Sequence, residues 1–454
     1  MNRTFAVAMV AAVGCATGLS AVLTAASYTD QVYSKTAHLE RVWSGGPTIP
    51  TPSETPPFNP PPVFPSNPVR TNGISNGGRL INTGVGLSAD GNVYVWGGTY
   101  QHLGGGAPGE GAKTGPIKVP LPAGSIRKVS GMVYDVNALD ADGHVWGWGN
   151  TVARNGTDGS LAPSHNPQRL RVKSKWNGTG PLLSDVVLLT TNDGAGAAVR
   201  EDGTLWTWGP DPRNNPVYSG NVDQGASQLV GLPDPSKPGN KPVYIKGAES
   251  DFFAILENGD VYYWGQNTPT AATPPGTPTT ATPQFLDALR PWMRKHVAAG
   301  APYIVAIDGG RNLGGALLSD GSVLTWSNNA GPNGGHAGSG VAPSPQLTGV
   351  VDFSYGYHGA IFLKADGSLW GYGNGQADGG FLPPTPVHID DSVDFIGAGQ
   401  EFFIWRGRDG RFWGQGMNRA GAIGLPAPST SPWVDAKREV LWNGRNLLGD
   451  IRWA

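Results

Sequence analysis

The stretch EDGTLWTWG, Glu201 to Gly209, sets Asp-Gly between two apolar runs and carries two tryptophans within three residues. It is not unique. ADGNVYVWG (Ala89 to Gly97) and ADGHVWGWG (Ala141 to Gly149) precede it. ENGDVYYWG (Glu257 to Gly265), SDGSVLTWS (Ser319 to Ser327), ADGSLWGYG (Ala365 to Gly373) and RDGRFWGQG (Arg408 to Gly416) follow it. The anchoring residues of these seven copies are Asp90, Asp142, Asp202, Asn258, Asp320, Asp366 and Asp409, spaced by 52, 60, 56, 62, 46 and 43 residues. A unit repeated at such intervals signals a propeller or a solenoid.

Asp-Gly or Asn-Gly between apolar runs predicts a tight hairpin, here a type I′ turn with positive φ at both central residues. The residues after the turn alternate as a strand does, with Leu205 and Thr207 on one face and Trp206 and Trp208 on the other. A second strand is expected before the turn, as in Ala197 to Arg200 or Phe253 to Leu256. A third precedes it, as in Asp185 to Thr191 or Val350 to Gly356. Seven small four-stranded sheets make an all-β, seven-bladed β-propeller. Trp96, Trp148, Trp208, Trp264, Trp326 and Tyr372 form one structural row. Copy seven has Gln415 in that row, and its aromatic, Trp413, stands in the row of Trp206. Large apolar bulk is expected in both rows, each buried ring contributing on the order of 2–3 kcal/mol.

The repeated order of apolar strand, Gly, apolar strand, Asp-Gly and Val/Leu-aromatic-x-Trp-Gly resembles the regulator of chromosome condensation repeat. The likeness covers roughly Asn72 to Ala454 and implies a seven-bladed propeller. The family's element after the Trp survives in YQHLGGG (Tyr100 to Gly106) and MNRAGAIG (Met417 to Gly424). Copy one lacks a good strand before RLINTGVGLSADG (Arg79 to Gly91), while NLLGDIRWA (Asn446 to Ala454) reads as an opening strand without a unit after it. Gly449 to Ala454 is therefore expected to complete the first blade and protect its edge.

Gly (69) and Pro (40) make up about a quarter of the 454 residues, a level that argues against a helical protein. The formal net charge of −2 gives no global case for binding nucleic acid or an anionic membrane. A single cysteine, Cys15, excludes an internal disulfide and a cysteine-based zinc site. Phe5 to Ala26 is uncharged, so residues 1–26 read as a signal peptide or a membrane anchor. Residues 27–70 are a linker, proline-rich from Thr48 to Pro68 and extended. Residues 71–454 are the propeller.

Catalytic and metal signatures are sparse. No pair of the eight histidines has the spacing of a helical zinc site, and no Gly-x-Ser-x-Gly elbow occurs. GAPGEGAKTG (Gly106 to Gly115) lacks the Gly-Lys-Ser/Thr of a phosphate loop. LDADGHV (Leu139 to Val145) has acids two apart but lacks the further oxygens of a calcium loop. No catalytic, cofactor or metal residue is assigned.

The spacings are uneven, and the extra residues are expected in polar loops after the Trp row: Arg154 to Gln168, Pro210 to Gln228 and Asn267 to Gln284. Such insertions cluster on one face of a repeat protein, often the binding face. FLDALRPWMRKHVAA (Phe285 to Ala299) reads as a short helical turn that either contacts a partner or packs back on the rim. Candidate contact residues are Tyr100, His102, Arg154, Arg213, Tyr218, Trp292, Arg294 and Trp433. The expected function is that of an exported or cell-surface, non-catalytic, monomeric propeller. It presents the long loops of blades 1 to 4 to a protein partner and meets a membrane only through its N-terminal segment. Alternatives are a secreted enzyme inhibitor resembling β-lactamase inhibitory protein II and a polysaccharide-binding or -degrading propeller.

Overall fold

Side-chain alternation and the seven turns produce seven antiparallel sheets of four strands each. In each sheet the strands lie side by side in chain order, and the sheets form a propeller ring. The computed structural model describes residues 72–76, 79–98, 113–122, 124–131, 135–149, 164–172, 180–192, 195–209, 225–248, 251–265, 274, 280, 282–310, 313–327, 340–373, 382–399, 401–418, 421–425 and 433–453. The N-terminal segment 1–26 and the linker 27–70 lie outside the described residues. Blades 1 to 7 span 72–118, 126–169, 186–229, 242–285, 304–343, 350–390 and 393–439.

Blade 3 shows the plan: Val186–Thr191, Gly196–Arg200, Leu205–Trp208 and Ser227–Leu229. The hairpin at Asp202-Gly203 differs from the expected type I′ turn. Only the glycine has positive φ, +85°. The Gly203 N–H donates to the Arg200 carbonyl at 2.8 Å and the Arg200 N–H to the Thr204 carbonyl at 3.0 Å. This is a three-residue loop, a type I turn followed by a left-handed glycine that forms a bulge. The aspartate earns its place through its side chain rather than its backbone. Asp202 Oδ1 accepts from the Thr204 N–H (2.8 Å) and hydroxyl (2.6 Å), and Thr204 Oγ1 accepts from Trp206 Nε1 at 2.9 Å. Asp366, Ser368 and Trp370 repeat this relay.

The two aromatic rows have different environments. Trp148, Trp208, Trp264, Trp326 and Tyr372 are fully buried between blades. Room for Trp208 comes from Gly196 opposite it, where a Cβ would stand 2.2 Å from the ring. In blade 6 the smaller Tyr372 is compensated by Tyr355, whose hydroxyl lies 3.0 Å from that of Tyr372. In blade 7 Gln415 replaces the aromatic, and bulk comes from buried Phe403 opposite it, with buried Trp405 two residues on. The row of Trp206 corrects the expectation of deep burial: apart from Leu324 its members are half-buried. Cations roof the rings instead, with Arg169 over Trp146 at 5.0 Å, Arg200 over Trp206 at 5.4 Å, Lys364 over Trp370 at 4.1 Å and Lys437 over Trp413 at 5.0 Å.

Trp405 Nε1 and Lys437 Nζ each donate to Asp390, both at 2.8 Å. Burial by itself would push this carboxyl up, but those hydrogen bonds outweigh it and hold Asp390 below the ordinary carboxylate range. A depressed folded-state pKa stabilises the fold above the unfolded value of about 3.9 and ceases to do so as pH falls through the folded value. The urea midpoint of Asp390→Asn should therefore lie below wild type at pH 7, with the gap closing as pH falls from about 5 toward 3. A gap that stays constant over that range would show that Asp390 acts without its charge.

The C-terminal residues complete the first blade. In blades 2 to 7 the residue that opens the turn donates its N–H to the residue just before the first strand, as Ala141 does to Ser125 and Glu201 to Asp185, both at 2.7 Å. In blade 1, Ala89 donates to Arg452 at the same 2.7 Å. Trp453 then bridges Ser88 as Ile126 pairs with Asp140. The Trp453 ring packs on Trp96, centroids 5.8 Å apart, and its Nε1 donates to the Leu448 carbonyl at 2.9 Å. The contribution is a bridge rather than a full strand, because Asn72–Asn76 pairs farther along the same edge.

Candidate interaction surface

The first strand of each blade is the innermost, and neighbouring first strands are tied together near one end of the ring. Ser130 Oγ lies 2.8 Å from Thr191 Oγ1. The Gly247 N–H donates to Thr190 Oγ1 at 2.7 Å, and the Ala398 N–H to Ser354 Oγ at 3.2 Å. Where Lys246 takes the acceptor's position it cannot accept, and it pairs with buried Asp308 at 3.1 Å. These ties put the polar side of the inner strands at the end opposite the Asp-Gly turns.

Chain direction fixes what else emerges there. Each third strand runs away from its turn, so every connection from third to fourth strand leaves from this same end. All seven are long, thirteen to eighteen residues. Those of blades 3 and 4 are the longest, eighteen residues each against thirteen to fifteen elsewhere, while blades 1 and 2 do not stand out, and the rest of the uneven spacing has another source. The links from fourth strand to next first strand, at the turn end, hold sixteen, twelve and eighteen residues after blades 2, 3 and 4. After blades 1, 5 and 6 they hold seven, six and two. A loop between strands of one sheet and a link between sheets are both polar and Gly/Pro-rich, so composition did not separate them.

The links after blades 3 and 4 are described in full, and both pack on the turns. A Cβ on Gly203 would stand 2.7 Å from Pro235, and one on Gly259 would stand 2.5 Å from Arg294. Residues Asp287–Trp292 form a 3-10 turn. Leu289 and Met293 are buried in the core between blades 4 and 5, and Trp292 packs half-buried against it. Arg294 donates to the Glu257 carbonyl and lies 6.0 Å from the Tyr303 ring. Lys295 and His296 reach the buried Asp260 carboxylate at 3.2 and 3.0 Å. Trp292 and Arg294 are thus engaged by their own chain on the rim at the turn end. Trp433 opens Trp433–Glu439, the outer strand of blade 7, opposite Met417 at the long-connection end. Tyr100, His102, Arg154, Arg213 and Tyr218 lie outside the described residues. Sequence reasoning missed the inter-blade ties, whose only signal is a small polar residue near the end of most first strands.

Asp140, Asp142 and His144 come close enough to share a cation, their ligand atoms within 4.8 Å of one another. The Asp140 carboxylate already braces its hairpin, accepting from the N–H groups of Asp142 (3.0 Å) and His144 (2.9 Å) and from Trp146 Nε1 (2.8 Å). In this blade Asp140 performs the bracing that the turn aspartate performs elsewhere.

No family model matches the chain. A stretch of 227 residues, 48% of the chain, is 27% identical to the E3 ubiquitin-protein ligase HERC2 of Homo sapiens. The chain spans only 4% of that protein's length. Among solved structures it is similar to Prp20p from Saccharomyces cerevisiae, with TM-score 0.58, 18% identity and coverage of 78% of this chain and 87% of that one. It is also similar to human WBSCR16, with TM-score 0.57, 14% identity and coverage of 77% and 93%. Blade count and fold define the class: a seven-bladed β-propeller, similar in fold to Prp20p. Yeast RCC1 (Prp20) itself has been solved bound to Kap60.

Proposed function

We propose that the chain is a non-catalytic, protein-binding propeller that presents its long-connection end to a protein partner. The observation that carries this reading is that seven connections of thirteen to eighteen residues leave from one end of the ring. Loops held at fixed spacing by a rigid scaffold are a common way to build a binding face. Prp20p, whose fold this chain shares, is described with binding properties to Gsp1p and histones, and a protein partner here is in keeping with that. Export to the cell surface is part of the proposal and rests on the uncharged stretch Phe5 to Ala26 and the proline-rich segment after it. Fusing residues 1–70 to a reporter active only outside the cytoplasm tests that part; an inactive reporter would remove it.

Loop exchange tests the surface. Replacing 210–224 or 267–279 with a Gly-Ser linker of equal length should abolish capture of a partner from cell or matrix extracts. The melting temperature should change little. The same exchange of 234–238 at the turn end should leave capture intact. The opposite pattern would move the binding face to the turn end.

A further inference from the structure

Between the outer strand of blade 7 and the closing C-terminal segment lies the turn WNGR, Trp442 to Arg445. Asn443 and Gly444 both have positive φ, +52° and +75°. The Trp442 N–H donates to the Arg445 carbonyl at 2.9 Å, and the Arg445 N–H to the Trp442 carbonyl at 3.0 Å. This is a two-residue type I′ hairpin, the turn that Asp202-Gly203 does not adopt. Asn443, Gly444 and Arg445 are exposed. A Cβ on Gly444 would meet nothing within 4 Å. Among the described residues, neither the Asn443 side-chain amide nor the Gly444 N–H makes a hydrogen bond.

We propose that Asn443 is a site of spontaneous covalent modification, and that its product loosens the seam where the ring closes. The Gly444 nitrogen attacks Cγ, the side-chain carbonyl carbon of Asn443. The N–Cγ bond forms, the Cγ–Nδ2 bond breaks, and ammonia leaves with the proton from the Gly444 nitrogen. The product is a cyclic succinimide, which water then opens. Opening at Cγ gives aspartate. Opening at the backbone carbonyl gives isoaspartate, in which the main chain runs through Cβ and Cγ and is longer by a carbon. The whole sequence consumes only water.

Position selects this residue over an identical pair elsewhere. Asn258-Gly259 lies in the turn of blade 4. There the amide is engaged twice: Nδ2 donates to Asp260 Oδ2 at 3.0 Å, and Oδ1 accepts from the Asp260 N–H at 2.8 Å. The Gly259 N–H, which would have to attack, donates to the Leu256 carbonyl at 2.8 Å. A Cβ on Gly259 would stand 2.5 Å from Arg294 Cβ, so the turn is roofed as well. Among the described residues no such restraint opposes rotation at Asn443.

The hairpin is also placed where a change of length matters. Trp442 is buried in the cluster that holds Trp96, Phe412, Leu448 and Trp453. On the near side, the Leu425 N–H donates to the Leu441 carbonyl at 2.6 Å. On the far side, Asn446 Nδ2 donates to the Gly410 carbonyl at 3.2 Å and its Oδ1 accepts from the Gly449 N–H at 3.0 Å. Both arms are therefore fixed to blade 7 or to the closing segment. Loop length sets the register of a hairpin. An added carbon cannot keep both Trp442–Arg445 bonds without shifting Trp442 on one arm or Leu448 and Trp453 on the other.

The full chain, held in mildly alkaline buffer below its melting temperature, tests this by peptide mapping that separates aspartyl from isoaspartyl products. Asn443 should convert at least about tenfold faster than Asn258, whose reaction waits on local opening of its turn. Equal rates would mean conversion from the unfolded chain and would overturn the proposal. The isoaspartyl fraction should melt below the unmodified protein. Asn443→Asp, which adds the charge without the extra carbon, should melt with the unmodified protein. An isoaspartyl fraction with unchanged melting temperature, or an Asn443→Asp variant that falls as far, would remove the link to the seam.

Discussion

Removing Gly449 to Ala454 is expected to lower the urea midpoint of the propeller by the equivalent of about 4 kcal/mol or more, the order of losing one large buried aromatic together with its seam. Trp453 is only 6% exposed and is the centre of the packing where the ring closes. Its ring meets Tyr94 at 6.1 Å, Trp96 at 5.8 Å and Phe412 at 6.4 Å, joining blade 1 to blade 7. A Cβ on Gly86 would stand 2.3 Å from this ring, so the strand beneath is shaped to receive it. Deletion also removes the Arg452 carbonyl that receives the Ala89 N–H. The loss should exceed that of a single core truncation because an open seam exposes strand edge as well as apolar surface. Trp453→Phe should recover most of the stability, which separates ring packing from chain length. An unchanged midpoint for the deletion would mean that the ring closes elsewhere.

The second large effect contrasts two tryptophans two residues apart. Trp208→Ala should cost about 3–5 kcal/mol, the range for removing a large aromatic from a packed core. Trp208 is fully buried, lies over Gly196 and belongs to a cluster with Leu139, Val145 and Ala198 that spans blades 2 and 3. Trp206→Ala should cost about 1 kcal/mol, chiefly one hydrogen bond and the exposed contact with Arg200. Denaturant titrations of both variants at pH 7 measure the difference. Equal losses would show that the half-exposed row carries as much of the fold as the buried one.

The contrast marks how far sequence can be read. Alternation put Trp206 and Trp208 on the same face, and that is correct. It could not rank them, because depth depends on the neighbouring blade. Trp208 is enclosed in the cluster that holds Leu139 and Val145 of blade 2, while Trp206 packs only at the margin of that cluster and is roofed by Arg200 of its own sheet. The turn aspartates were legible as turn residues, yet their mechanism was not. A type I′ turn and a type I turn with a glycine bulge share the same Asp-Gly signal, and only backbone dihedrals separate them. Likewise, the turn at Asp287–Trp292 was foreseen, but its engagement with the rim depends on Leu289 and Met293 finding a groove between blades 4 and 5.

By itself the sequence determined the repeat, the count of seven, the strands around each turn and the use of the C-terminal residues to complete blade 1. Those features are local patterns repeated many times, and repetition makes each copy a check on the others. Tertiary structure alone decided which aromatic row is buried, which side chains tie the inner strands, and where the unequal segments lie. Residues far apart in the chain meet only when the sheets form a ring, and the end at which a connection emerges follows from strand direction, not composition.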